Sequence, residues 1–205
     1  ISVVLSELMP DFSVLIPAFP MGMPPKLTVG TGLDALAHAF DAVMSHWATD
    51  ITDALALKSI QLVFKYLPRA YRNPRDLEAR HRMHIAATMA GLAFSNGGVG
   101  LTHSLGHSLG KVFSVHHGIA VGIFIPYTLQ YYFKVTDKYL EICKALEIEA
   151  RTKEKSLARL VKRVRALISE VDVPLTLKGL GISEEDFKEN FEKLVLYAYE
   201  DPSNF

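Results

Sequence analysis

From Pro24 onward, apolar positions recur at intervals of three and four residues, separated by short polar, proline- or glycine-containing breaks. This is the period of helices that bury one face. The first such run passes through Leu33, Leu36, Ala37, Phe40, Val43 and Met44. Thr31 stands ahead of it with Asp34 three residues later, a spacing that predicts a helix start at Thr31 with an acid in its first turn. Further helices are predicted over 51–67, ended near Pro68, and over 77–94, stopped at Asn96-Gly97-Gly98. The pattern continues over 100–113, 118–133 with a kink or break at Pro126, 137–146, 153–171, and 184–199 after the capping residue Ser183. Ahead of these, 1–5 and 12–16 are short, β-branched apolar runs parted by Met9-Pro10-Asp11, and they are predicted as strands. Two strands are not stable alone in water, so they either pack on the helices or belong to a sheet lying upstream. The expected fold class is all-α, a helical bundle with a short β stub at its N-terminus. The expected division is a stub over 1–23 and a helical domain over 24–205.

Composition narrows the function classes without naming one. A hydrophobic fraction of 49% and a charged fraction of 21% in 205 residues are those of an ordinary globular chain with room for a core. Lys plus Arg and Asp plus Glu both number 22, which gives no electrostatic case for a nucleic-acid or anionic-membrane partner. The basic stretch from Lys153 to Arg165 alternates with Leu157, Leu160, Val161 and Val164, as a solvated helix face does. The single cysteine, Cys143, excludes an internal disulfide and a cysteine-based metal site, and its neighbours make it a small core residue. No stretch has the length and unbroken apolarity of a membrane span, and Ile1-Ser-Val-Val-Leu5, with no basic region before an apolar run, is not expected to be a signal peptide, so a cytoplasmic protein is expected.

Candidate chemistry lies in the histidines. Of eight, His103, His107, His116 and His117 fall in one short stretch. His103 and His107, four apart, project from one helix face roughly 6 Å apart at Cβ, and two imidazoles at that spacing can share a transition-metal ion. Asp34 and His38 repeat the spacing among apolar neighbours, where an ionised carboxylate is costly unless paired or bound to a cation. Each pair has an alternative reading: Asp34 as a helix cap, His38 as a satisfied core histidine. The case for a metal is the joint occurrence of two same-face pairs and His117 beside a glycine. Gly97, Gly98, Gly100, Gly106 and Gly110 are poor helix formers, and they point to close approach by another backbone or a ligand.

Taken together, Pro24-Pro-Lys-Leu-Thr28, Thr31-Gly-Leu-Asp-Ala-Leu-Ala-His38, Ala86-Ala-Thr-Met-Ala-Gly-Leu-Ala-Phe94 and the His103/His107/His117-Gly118 pattern resemble the iron-containing (group III) alcohol dehydrogenase family, from about Met9 to Asp201. The fold implied is the helical, metal-binding half of that dehydroquinate synthase-like architecture. Residues 1–23 would then be the last strands of a missing N-terminal α/β dinucleotide-binding domain. The resemblance makes Asp34, His38, His103 and His117 the metal ligands, and it places His107 on the substrate side without binding the ion. This differs from the spacing argument, which pairs His103 with His107. The family often has Pro before the last ligand where this chain has His116, which leaves His116 and His117 as alternatives, with Gly118 favouring His117.

The implied chemistry is reversible oxidation of a small-molecule alcohol to an aldehyde or ketone, with NAD or NADP taking the hydride and held mainly by the missing half. The implied ion is Fe(II), and ligand softness also permits zinc. His107 is the implied proton carrier, since an imidazole can take and release a proton near neutral pH. Two rivals stand beside this reading: a glycerol-dehydrogenase-like zinc enzyme with fewer ligands, and a helical metal-binding fragment that catalyses nothing. Which alcohol and which dinucleotide are used is not legible, and self-association is left open by apolar helices such as 118–133.

Overall fold

The computed structural model describes residues 10–203. Nine α-helices follow one another there: α1 (Pro25–Met44), α2 (Asp50–Arg72), α3 (Leu77–Gly97), α4 (Leu101–Phe113), α5 (His117–Tyr132), α6 (Tyr139–Ala145), α7 (Lys153–Glu170), α8 (Glu184–Glu189) and α9 (Phe191–Tyr199). No strand occurs among the described residues, so the all-α expectation holds for them. The strand predicted over 12–16 is corrected. Phe12 is 89% and Val14 80% exposed, and an apolar extended run without a neighbouring strand has no ladder to join. The other predicted strand, over 1–5, lies outside the described residues.

The bundle is organised around α1. Val29, Leu33, Leu36, Phe40 and Val43 are buried on one face of it, and Thr28, Ala35, Asp41 and Ala42 are buried on the others, as expected of a helix with neighbours all round. Helices α2, α3, α4 and α5 pack against it. Its start is not at Thr31. The helix begins six residues earlier at Pro25, where a proline in the first turn forfeits no intrahelical bond, and the Thr31 hydroxyl donates to the Leu27 carbonyl at 2.9 Å. Asp34 therefore sits in mid-helix and cannot act as a cap, which removes that alternative.

Two other boundaries differ from expectation. Helix α2 continues through Pro68 to Arg72, because Leu67, Pro68 and Ala70 are buried and packing outweighs the lost backbone bond. Helix α5 runs through the buried Pro126 as one helix, so of the kink or break expected there the break does not occur. The last predicted helix is two, divided at Asn190, whose backbone leaves the helical region at φ −99° and ψ 5° and whose amide donates back to the Asp186 carbonyl at 2.9 Å. The α2–α3 pair is closed by a turn in which Asp76 caps α3 and binds Arg69 at 2.9 Å. At the other end of α3, Gly98 takes φ 81°, the left-handed conformation that glycine accepts without strain, and its N–H bonds to the Phe94 carbonyl.

Buried polar groups are tied across helices. Ser59 of α2 donates to the Ala86 carbonyl of α3 at 2.8 Å, and Ser108 of α4 donates to the Leu194 carbonyl of α9 at 2.6 Å. Arg80, 3% exposed, donates to Thr28 at 2.7 Å and so ties α3 to the start of α1. Cys143 is buried, its thiol pushed up to about 11 by that burial, which fits the expected core role. Helix α7 buries Leu160, Val164 and Leu167 and turns its basic residues outward, as its pattern predicts. No described helix is long and apolar enough to cross a membrane.

Candidate metal centre

Asp34, His38 and Asp41 stand on one face of α1 at spacings of four and three. Helix α4 presents His103 and His107. The chain then reverses within three residues, with Ser114 in the left-handed region at φ 55°, and α5 begins at His117. The first turn of α5 is pressed onto α1 so closely that a Cβ built on Gly118 would lie 1.8 Å from the Gly30 carbonyl oxygen. That contact carries His117 to Asp34, one helical turn beyond Gly30.

The ligand atoms of Asp34, His103 and His117 all lie within 4.8 Å of one another. His117 Nε2 is 2.9 Å and His103 Nε2 3.7 Å from Asp34 Oδ1. Even so, Asp34 Oδ1 and His103 Nε2 are both buried with no hydrogen-bond partner, so the atoms converge without the alignment of a hydrogen bond. Two orphaned buried polar atoms beside a third nitrogen, in an acid-plus-imidazole set, fit a borderline divalent cation and disfavour calcium, which takes oxygen ligands.

The site is electrostatically coupled. Burial alone would raise the Asp34 carboxyl, but the rings of His103, His117 and His38 hold it well below the usual carboxylate range. Burial and the adjacent His103 push His38 down to about 4, against the pull of Asp34 and Asp41. Burial acts downward on His103 too, yet contacts with Asp34 and Asp41 lift it to about 9.

The predicted residues are thus placed unevenly. Asp34, His103 and His117 form the convergent group. His38 lies outside it: its Nδ1–H donates to the Asp34 carbonyl at 3.0 Å, leaving Nε2 free. Its ring stacks on Phe94 at 4.2 Å between centroids and lies 4.1 Å from His103. His116 turns from the group and covers Gly30, where a Cβ would lie 2.3 Å from its ring. His107 is also outside, its ring stacked on His117 at 5.0 Å, and its Nδ1 donates to Asp201 Oδ2 at 2.9 Å. It lines a cleft of about 210 Å³ with Lys111, Tyr197 and Asp201.

Sequence reasoning missed Asp41 and Asp201. Asp41 is fully buried and accepts from His103 Nδ1 at 2.8 Å. One signal was available: an acid on an apolar helix, seven residues past Asp34 and on its face. For Asp201 there was none, since its partner is 94 residues away.

These features define a helical domain built around a candidate metal centre. Residues 28–205 match the family model described as the Fe-containing alcohol dehydrogenase family, C-terminal. The chain is 38% identical over 180 residues to an NADPH-dependent butanol dehydrogenase of Clostridium saccharobutylicum, covering 87% of this chain and 46% of that protein. It is 34% identical over 210 residues to an aldehyde-alcohol dehydrogenase of Streptococcus pneumoniae, covering 95% of this chain and 24% of that protein. An iron-containing alcohol dehydrogenase from Thermococcus thioreducens superposes with a TM-score of 0.86 at 32% identity, over 98% of this chain and 51% of that one. The chain belongs to the iron-containing alcohol dehydrogenase family and corresponds to its C-terminal domain. It spans about half the length of these relatives, or a quarter in the aldehyde-alcohol enzyme.

Proposed function

We propose that this chain is the metal-holding part of an NAD(P)-dependent alcohol dehydrogenase that interconverts a small alcohol with its aldehyde or ketone. The observation that carries this reading is the pair of orphaned atoms, Asp34 Oδ1 and His103 Nε2, facing His117 in a member of this family. Asp34, His103 and His117 would hold the ion, with His38 as the fourth ligand if its free Nε2 turns in. Fe(II) is the expected ion. When bound, the ion would supply a Lewis acid for the substrate oxygen, and NAD(P), held by the rest of the enzyme, would supply the redox chemistry.

The chain's own residues do the remainder. His117, with 44% of its side chain exposed, leaves the centre open on one side for a substrate. On that side His107 donates Nδ1–H to Asp201, which fixes its tautomer and leaves the Nε2 lone pair to take a proton from the alcohol and pass it to water. Replacing His107 with Ala is expected to lower kcat about 10²-fold with metal content unchanged, since general acid–base catalysis is worth at least that much. Undiminished turnover would remove the role.

Metal titration tests the whole reading. His103, at about 9 without metal, must shed a proton to bind, so apparent affinity should rise with pH through 7 to 9. The expected slope is about tenfold per unit for one released proton. Anaerobic titration with Fe(II), and separately with Zn(II), should give one ion per chain and this slope; no binding to the folded chain would defeat the proposal. A second reading is favoured by the three-member group with His38 outside it: a zinc enzyme of the glycerol-dehydrogenase kind, with fewer ligands. Metal analysis of protein purified without chelator separates the two, iron supporting the first and zinc the second.

A further inference from the structure

Asp41 is a fully buried carboxylate whose partners come from another helix. Its Oδ2 accepts from His103 Nδ1 at 2.8 Å, from the His103 backbone N–H at 3.2 Å and from the Gly100 N–H at 3.0 Å. Helix α4 has glycine at its N-cap position and no side-chain cap of its own, so Asp41 caps it from α1. Gly100 also leaves room for this, because a Cβ there would lie 2.7 Å from the Tyr132 hydroxyl and 3.5 Å from Asp41 Cγ. One oxygen therefore grips both the backbone and the ring of a single residue. A carboxylate can only accept, so the His103 Nδ1 carries its hydrogen toward Asp41, and the opposite nitrogen, Nε2, is directed at Asp34 Oδ1, 3.7 Å away.

We propose that Asp41 is the positioning residue of the metal centre. It sets the rotation and tautomer of His103 so that Nε2 faces Asp34 and His117 before an ion arrives. This rests on the reading of Asp34, His103 and His117 as ligands and deepens it. A histidine ligand whose second nitrogen is held by a carboxylate keeps its orientation and gains basicity. Asp41 holds α1, the helix of Asp34, in register with α4, the helix of His103, through the same three bonds.

The test compares wild type with Asp41→Asn in zinc affinity, by competition with a chromophoric chelator, and in Tm with and without zinc. The amide keeps an acceptor oxygen of the same shape but loses the charge. Zinc affinity is expected to fall about 10- to 100-fold, the usual cost of losing such a partner. The rise in Tm on zinc loading should shrink accordingly. A cap with no part in the metal centre would lower both Tm values alike and leave the affinity within twofold, and that result overturns the proposal. If the variant does not fold, ¹⁵N NMR of zinc-loaded wild type decides: His103 should show Nδ1 protonated and Nε2 bound, and the reverse assignment overturns it. Failure of wild type to bind zinc or Fe(II) would instead defeat the metal-site reading, a separate outcome.

Discussion

Replacing Asp34 with Ala is expected to cost the chain its bound ion while leaving the helical bundle folded. Asp34 Oδ1 is the atom on which the group closes, 2.9 Å from His117 Nε2 and 3.7 Å from His103 Nε2, and it is the only anionic donor in the convergent set. Without it a divalent cation would meet neutral imidazoles alone, in a site where burial already disfavours charge. The loss should exceed the roughly 10- to 100-fold that follows from removing a ligand's partner, so affinity should drop by more than about two orders of magnitude. The fold should tolerate the change. Asp34 is part-exposed and caps nothing, and alanine is the best helix former for a mid-helix position. Removing the carboxylate also takes away one of the two groups that lift His103 to about 9, so the pH at which residual binding sets in should move down. Metal analysis after equilibrium dialysis, alongside far-UV circular dichroism, would measure both halves. A variant that retains stoichiometric metal would place the ion elsewhere in the molecule.

How much of this was legible from sequence depends on whether the deciding contact was local. Helix existence was legible throughout, since the period that buries Leu33, Leu36 and Phe40 in α1 or Leu160 and Val164 in α7 is a property of each segment alone. Ends were legible where a local device sets them, as with the left-handed Gly98 or the Thr and Ser caps of α7 and α8. They were misread where tertiary packing overrode a local signal, at Pro68, or where an irregularity had no sequence marker, at Asn190. The site divides in the same way. Helical spacing puts Asp34, His38 and Asp41 on one face, and His103 and His107 on another, but it cannot say which residues of the two faces meet. Spacing paired His103 with His107, whereas the convergent group takes His117, because a reversal at Ser114 folds α5 back. The residue pattern counts His117 beside its glycine in the case for a metal, but only the family resemblance names it as a ligand in place of His107. The two carboxylates that hold the histidines lie 62 and 94 residues from their partners, beyond the reach of any local pattern.

The same dependence on tertiary approach makes one glycine the most sensitive backbone position. Gly118→Ala is expected to destabilise the chain strongly, while Gly91→Ala, the same change in another helix, should stabilise it. At Gly118 the added methyl would lie 1.8 Å from the Gly30 oxygen and 2.5 Å from its carbonyl carbon. Both are backbone atoms inside helices, with no rotamer to yield, so α1 and α5 must separate. Overpacking costs typically about 1–3 kcal/mol and more when nothing can relax, and about 3 kcal/mol is expected here. For a chain of this size that is a fall in Tm of roughly 6–12 °C. At Gly91 a Cβ meets nothing within 4 Å, so alanine brings only its helix preference, about 0.5–1 kcal/mol in favour. Thermal unfolding of the two variants checks the contrast in sign, which helix propensity alone would make equal. Gly118 adjoins His117, and Gly30 lies one turn before Asp34, so the separation also parts two ligands. Metal affinity should fall in Gly118→Ala even at temperatures where the protein stays folded, and should be unchanged in Gly91→Ala. Equal affinity in the two variants would mean that the close contact of α1 and α5 serves packing alone.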